Sequence, residues 1–261
     1  MSDDAVLYDV AEGVATITLN RPERLNAWNP QIHQGYFDGL DRAAADPDVK
    51  VIIVTGAGRG FCAGADMDVL QGIQSNEGEP GEPDLRKHTH AMTIPKPVIA
   101  AVNGAAAGLG MVHALACDIR FAAAGAKFTT AFARRGLIAE HGMSWTLPNL
   151  VGQAHAMDLL VSSRVVLAEE ALEMGLVNRV YPADDLMAET RAYALDMAIN
   201  VSPTSMAVMK EQVYTHRHLD PDEAVKRSNV LMGESLRRPD FKEGVASFLE
   251  KRPPLFEPYT P

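Results

Sequence analysis

Asn103-Gly104-Ala105-Ala106-Ala107-Gly108-Leu109-Gly110 is the stretch from which the rest of the chain can be read. One apolar run, Pro97-Val98-Ile99-Ala100-Ala101-Val102, precedes it, and another, Met111 to Ala116, follows. The order is strand, glycine turn, helix. Glycine and alanine let a backbone come close to a ligand. A helix start also leaves N–H groups unpaired beside the positive end of its dipole. Those are the parts of an anion or oxyanion site. From this stretch alone, a tight strand-to-helix connection with no ligand explains the pattern at least as well.

A second stretch repeats the arrangement upstream. Val51-Ile52-Ile53-Val54-Thr55 is a continuous apolar run, as expected of a strand buried on both faces. It runs into Gly56-Ala57-Gly58-Arg59-Gly60 and then Phe61-Cys62-Ala63-Gly64-Ala65-Asp66, with Asp66 placed to cap a helix. Two such turns could each supply one N–H to a single oxygen. The glycines at 56–60 break the spacing of a dinucleotide fingerprint, so that reading is rejected.

Phe61-Cys62-Ala63-Gly64-Ala65-Asp66, followed by Ile99-Ala100-Ala101-Val102-Asn103-Gly104 and Cys117-Asp118-Ile119, resembles the crotonase (enoyl-CoA hydratase/isomerase) superfamily. Near the start, Asn20-Arg21-Pro22-Glu23-Arg24-Leu25-Asn26-Ala27 resembles that family's CoA-binding loop. Near the end, Glu243-Gly244-Val245 and Phe248-Leu249-Glu250-Lys251-Arg252 resemble its C-terminal helix. The likeness spans nearly the whole chain. It implies an α/β fold with a crotonase-type ββα spiral core over residues 1–190. A C-terminal helical region over 191–261 would then build a homotrimer or a dimer of trimers. The reaction stays open, because one fold hosts many chemistries.

Bulk properties agree with such a protein. The chain has 261 residues, 47% hydrophobic and 22% charged, which suits one large soluble domain or a domain with an appendage. No apolar run approaches the roughly 18–20 residues that span a bilayer, so no membrane partner is expected. Met1-Ser2-Asp3-Asp4 carries no signal-peptide pattern. The two cysteines, Cys62 and Cys117, suggest no disulfide framework, which points to a reducing cytoplasm. The net charge of −10 argues against nucleic acid and means that a CoA-like ligand needs a local basic patch.

Along the chain, Val6–Val10 and Val14–Leu19 flank Glu12-Gly13 as a β-hairpin. Asn29-Pro30 starts a helix that runs to about Ala45. Residues 71–87 hold Gly72, Gly78, Gly81, Pro80 and Pro83 and read as a surface loop; a lid and a merely solvated loop both fit. His88 and His90 would not share a helix face, which speaks against a metal site. A helix carrying Trp145 is expected to end near Leu150-Val151-Gly152. Val165-Val166 and Val177–Val180 read as short strands. Helices broken by Pro203, Pro221 and Pro239 complete the chain.

The resemblance also implies the chemistry. The substrate would be an acyl-CoA thioester whose carbonyl oxygen lies between the N–H groups of Ala63 and Leu109. Arg24, Leu25 and Ala27 would lie by the adenine and pantetheine. Gly64, Ala65, Asp66 and Gly108 would sit beside the thioester, and Lys251 would reach a phosphate of its own or a neighbouring subunit's ligand. No metal or redox cofactor is implied. The two glutamates of a crotonase-type hydratase fall at Val112 and Phe132 here, and neither side chain transfers protons. Glu140, in Gly136-Leu137-Ile138-Ala139-Glu140-His141-Gly142, falls where Δ3,Δ2-enoyl-CoA isomerases of the superfamily carry their base. Leu137, Ile138 and Trp145 are expected to wall an apolar pocket around it. A single carboxylate can perform a 1,3-proton shift, so a double-bond isomerase is the leading expectation. A hydratase, a hydrolase or dehalogenase-type enzyme, and a non-catalytic acyl-CoA-binding protein are the alternatives. His141 is a rival proton carrier. Asp66 and Asp118 read as structural, and Cys62 as a packed residue, not a nucleophile.

Overall fold

The hairpin forms as expected. In the computed structural model, which describes residues 4–75, 84 and 86–259, β1 (Val6–Ala11) and β2 (Val14–Leu19) pair antiparallel. Glu12 and Gly13 turn between them at φ 54° and 80°, the left-handed pair that suits strand twist. Helix α1 (Pro30–Ala45) follows. The Asn29 side chain accepts the Ile32 N–H, and the helix buries Ile32, Tyr36, Phe37 and Leu40.

The chain then repeats one unit: long strand, short strand, helix. The first is β3 (Val51–Gly56), β4 (Gly60–Cys62) and α2 (Met67–Ser75). The second is β5 (Val98–Val102), β6 (Ala105–Ala107) and α3 (Leu109–Ala116). The third is β7 (Ile119–Ala123), β8 (Lys127–Thr129) and α4 (Met143–Ser162). Then come β9 (Val166–Leu167), α5 (Ala168–Glu173) and β10 (Arg179–Tyr181), and finally α6 (Leu186–Asn200), α7 (Pro203–His216), α8 (Pro221–Ser235) and α9 (Pro239–Glu250).

The long strands join one sheet, in the order β1-β2-β3-β5-β7-β10. The short ones join another, in the order β4-β6-β8-β9. Beyond the β1–β2 hairpin the first sheet is parallel, as are β4, β6 and β8 in the second. This is the ββα spiral that the resemblance implied. β3 and β5 are buried at every residue, which explains why their sequences are apolar without alternation.

Helix α6 packs against the parallel sheet, so residue 190 lies inside an element of the core. The helix carrying Trp145 breaks at Gly152 (φ 75°, ψ 165°), as expected, and a second helical run, included here in α4, continues to Ser162. Of the loop expected over 71–87, residues 76–83 and 85, and with them the lid role, lie outside the described residues. No helix among the described residues is long and apolar enough to cross a membrane.

Candidate active site

Parallel strands place their carboxyl ends, and the turns that follow, on one side of a sheet, the usual place for ligands in α/β proteins. Here those turns are Ala63–Asp66 after β4, Gly108–Leu109 after β6 and Thr130–Arg135 after β8. All three line one cavity of about 680 Å³, together with Trp28, His33, Asp84, Leu137, Glu140 and His141.

The first two turns touch through their glycines. Gly64 has φ +100°, and a Cβ there would lie 2.9 Å from the Ala107 carbonyl oxygen. A Cβ on Gly110 would lie 2.0 Å from the Cys62 carbonyl oxygen, so α3 can start against β4 only as glycine. Two asparagines fasten the preceding turn. Asn103 Nδ2 donates to the carbonyls of Gly56 and Gly58, both at 2.9 Å. Asn26, fully buried, donates to those of Ala57 (3.0 Å) and Gly60 (2.8 Å).

This packing moves one assignment. The Ala63 N–H, expected to face the substrate oxygen, donates to the Leu25 carbonyl at 3.0 Å and is therefore spent. In the same turn the Ala65 N–H donates to no described residue, and Ala65 lines the cavity. Leu109 is the first residue of α3, where a helix leaves its N–H unpaired, and no side chain caps it. Ala65 and Leu109 are thus the N–H donors that the two turns offer. Leu25 can present its carbonyl because it adopts a left-handed conformation (φ 51°).

Asp66 is structural, as expected. Its Oδ1 accepts the Asp68 N–H at 3.1 Å and its Oδ2 pairs with Arg21 at 2.9 Å, which holds the carboxyl below its usual range. Asp118 accepts from the Val98 N–H and the Tyr214 hydroxyl and pairs with Lys210 at 2.7 Å. Burial pushes both thiols, Cys62 and Cys117, up to about 12, so neither is a nucleophile. Arg24 is exposed at 3.4 Å from Asp68. Ala27 gives its carbonyl to Arg21. Lys251 lies exposed at the end of α9 and away from the cavity.

Val112 is buried but does not line the cavity; Phe132 is buried and does. Among the described residues two carboxylates reach the cavity, Glu140 and Asp84. Asp84 is committed: both its oxygens accept from Arg86, and Oδ2 also lies 3.1 Å from His33 Nε2. Arg86 holds its carboxyl far below the ordinary range. Among the described residues Glu140 has only His141 as an ionic neighbour, Nε2 to Oε2 at 3.9 Å. The expected apolar surround forms only in part. Leu137 lines the cavity, but Ile138 is 79% exposed. Trp145 faces a second cavity, where Arg217 lies 3.8 Å above its ring.

An unexpected file of imidazoles backs the Glu140 side. The His141 ring lies 4.0 Å from that of His88, and His88 Nδ1 lies 3.0 Å from Nε2 of the buried His113. His113 stacks on Trp28 at 3.9 Å. Burial lowers all three pKa values, that of His88 to about 4 and that of His113 well below the usual imidazole, so they are neutral at neutral pH. His33 has no free nitrogen: Trp28 Nε1 can only donate, so His33 Nδ1 accepts (3.4 Å) and its Nε2–H donates to Asp84. Nothing in the local sequence signals this cluster, because its members come from α1, the segment before β5, α3 and the turn before α4. Among the described residues no three His, Cys, Asp or Glu side chains are grouped to hold a metal ion.

Similarity to known proteins follows the same lines. Residues 9–258 match the family model described as enoyl-CoA hydratase/isomerase. The 1,2-epoxyphenylacetyl-CoA isomerase of Escherichia coli is 37% identical, with 96% of this chain and 97% of that protein covered. A crystal structure of an enoyl-CoA hydratase from Mycobacterium marinum is 51% identical with a TM-score of 0.71, over 81% of this chain and 98% of that one. One from Mycobacterium tuberculosis is 31% identical with a TM-score of 0.90, over 97% and 99%. The chain belongs to the enoyl-CoA hydratase/isomerase family.

Proposed function

We propose that this protein is an enoyl-CoA isomerase that shifts a double bond, with Glu140 as its base. The observation that carries the reading is that Glu140 is the one uncommitted carboxylate among the described residues of the cavity. Glu140 takes a proton from the α-carbon of a 3-enoyl thioester. The electron pair moves onto the thioester oxygen, where the Ala65 and Leu109 N–H groups stabilise the dienolate. In other enzymes one such donor is worth roughly 2.7–4 kcal/mol. The same carboxyl returns the proton to the γ-carbon, and the double bond ends in conjugation. Phe132, Leu137 and Trp28 keep the path apolar. Arg24, Leu25 and Ala27 with the 63–66 turn would hold CoA.

The test compares wild type with Glu140→Gln on 3-enoyl- and 2-enoyl-CoA of one chain length. Conjugated product from the first, lost about 100-fold or more in the variant, supports the reading. Hydration of the second by both proteins sinks it. That outcome would favour a hydratase using His141, the second proton-carrying group beside Glu140. Tight acyl-CoA binding with no turnover would mark a binding protein.

The oligomer belongs to the same reading. α7–α9 expose Met209, Val213, Val230 and Leu249, and Phe248 is 82% exposed. These faces suit subunit contacts in a homotrimer or dimer of trimers, with Lys251 reaching the CoA of a neighbour. The unpaired buried cysteines suit the cytoplasm.

A further inference from the structure

Arg135 closes the short 3-10 turn Ala133–Arg135 and lines the same cavity as Glu140. Its position follows from the sheet. The order β4-β6-β8 places the three site turns side by side at strand spacings of about 4.8 Å. The Ala63–Asp66 turn and the loop around Arg24–Trp28, bridged to it at Trp28 and Ala65, form one flank. Thr130–Arg135 forms the other, and the oxyanion turn lies between. If CoA occupies the first flank, the acyl group extends towards the second.

On that second flank Arg135 is the cation that lines the cavity among the described residues. Its Nη1 donates to the Ala131 carbonyl at 3.2 Å, and it pairs with no carboxylate among the described residues. The turn beneath it is fixed: the Arg135 and Leu137 N–H groups both donate to the Phe132 carbonyl, at 2.9 and 3.0 Å. Among the described residues the carboxylates of the cavity are Glu140, which is not paired with Arg135, and Asp84, which Arg86 neutralises. In a chain of net charge −10, a guanidinium beside an acyl site with no carboxylate partner among the described residues is conspicuous. A hydrocarbon acyl group gains nothing from it. A carboxylate gains charge-assisted hydrogen bonds from a planar fork that matches its two oxygens.

We propose that Arg135 binds a carboxylate carried by the acyl group, so that the preferred substrates are thioesters of dicarboxylic acids. This rests on the reading of the cavity as an acyl-CoA site. It does not depend on which reaction Glu140 performs.

The test is binding of unreactive saturated thioesters by calorimetry. Glutaryl-CoA and adipoyl-CoA are compared with valeryl-CoA and hexanoyl-CoA on wild type, Arg135→Gln and Arg135→Lys. Wild type should prefer the carboxylated member of each pair by roughly 10- to 100-fold, the range of a hydrogen bond to a charged group. Arg135→Gln should erase that preference with valeryl-CoA binding unchanged, and Arg135→Lys should keep part of it. Equal binding within each pair by wild type overturns the proposal. So does a variant that weakens both members alike, since Arg135 would then read a part common to every CoA thioester. Failure of all four to bind overturns the acyl-CoA reading instead.

Discussion

The two flanks of the cavity are built by different means. On the β4/β6 side the wall is backbone. Gly64, Gly108 and Gly110 bring two turns into contact, and the groups offered are N–H donors. On the β8 side the wall is side chains: Phe132, Arg135, Leu137, Glu140 and His141. A backbone wall does the same work whatever the neighbouring side chains, so the leucyl group of Leu109 does not remove its N–H. A side-chain wall can be rewritten by substitution with the fold intact. The contrast gives a reason for one fold to serve several reactions: a backbone wall persists while the side chains facing it change.

The most severe way to break this comparison is on the backbone side. Gly110→Ala sets a Cβ against a carbonyl, with no flexible side chain to yield. Stability should fall by more than about 4 kcal/mol, with loss of turnover, as read by denaturant unfolding. A stable, active Gly110→Ala protein would show that the close approach does not shape the site. On the opposite flank, Glu140→Gln should cost about 100-fold or more in kcat with the unfolding midpoint unchanged. A loss of stability of similar size would make Glu140 part of the scaffold.

The imidazole file gives a pH signature. The folded pKa of His88, about 4, lies below the usual imidazole value near 6.5, so the unfolded chain binds the proton more readily between them. Stability from this group is complete above about 6.5 and is lost as pH falls towards 4. The loss should be about 2 kcal/mol, discounted because the ring is partly open to water. His113 and His141 shift in the same direction, and Glu140 opposes the shift of His141. Denaturant midpoints at pH 7 and pH 5 should separate for wild type and converge in part for His88→Phe; equal separation in both would remove His88 from the account. The smallest effect belongs to a glycine with no such duty. Gly233, in α8, has open space where a Cβ would go, and Gly233→Ala should stabilise by about 0.5–1 kcal/mol with activity unchanged.

Much of this was legible before the structure. The hairpin, the Asn29 cap and the buried long strands rest on local pattern and formed where they were read; the two glycine turns each hold a short strand, β4 and β6, that the pattern did not show. Glu140 and the loss of glutamate at Val112 and Phe132 were legible through resemblance. Trp145 was misread because helical spacing says which residues share a face, not which cavity that face meets. The oxyanion donor was misplaced by two residues because the motif places Ala63 and Ala65 in one turn without saying which N–H is already taken.

The sequence by itself determined the repeated strand, turn and helix units, the family and the apolar replacement of the glutamate pair. These depend on residue type and spacing along the chain. Only the tertiary structure decided that Leu25 takes the Ala63 N–H and leaves that of Ala65 free, and that Arg86 removes Asp84 from the chemistry. It alone lined up His113, His88 and His141 behind Glu140 and set Arg135 in the cavity with no counter-ion among the described residues. The physical reason is that a hydrogen-bond donor or a charge is defined by what satisfies it, and in each case the partner or the neighbours are fixed by packing, not by order in the chain.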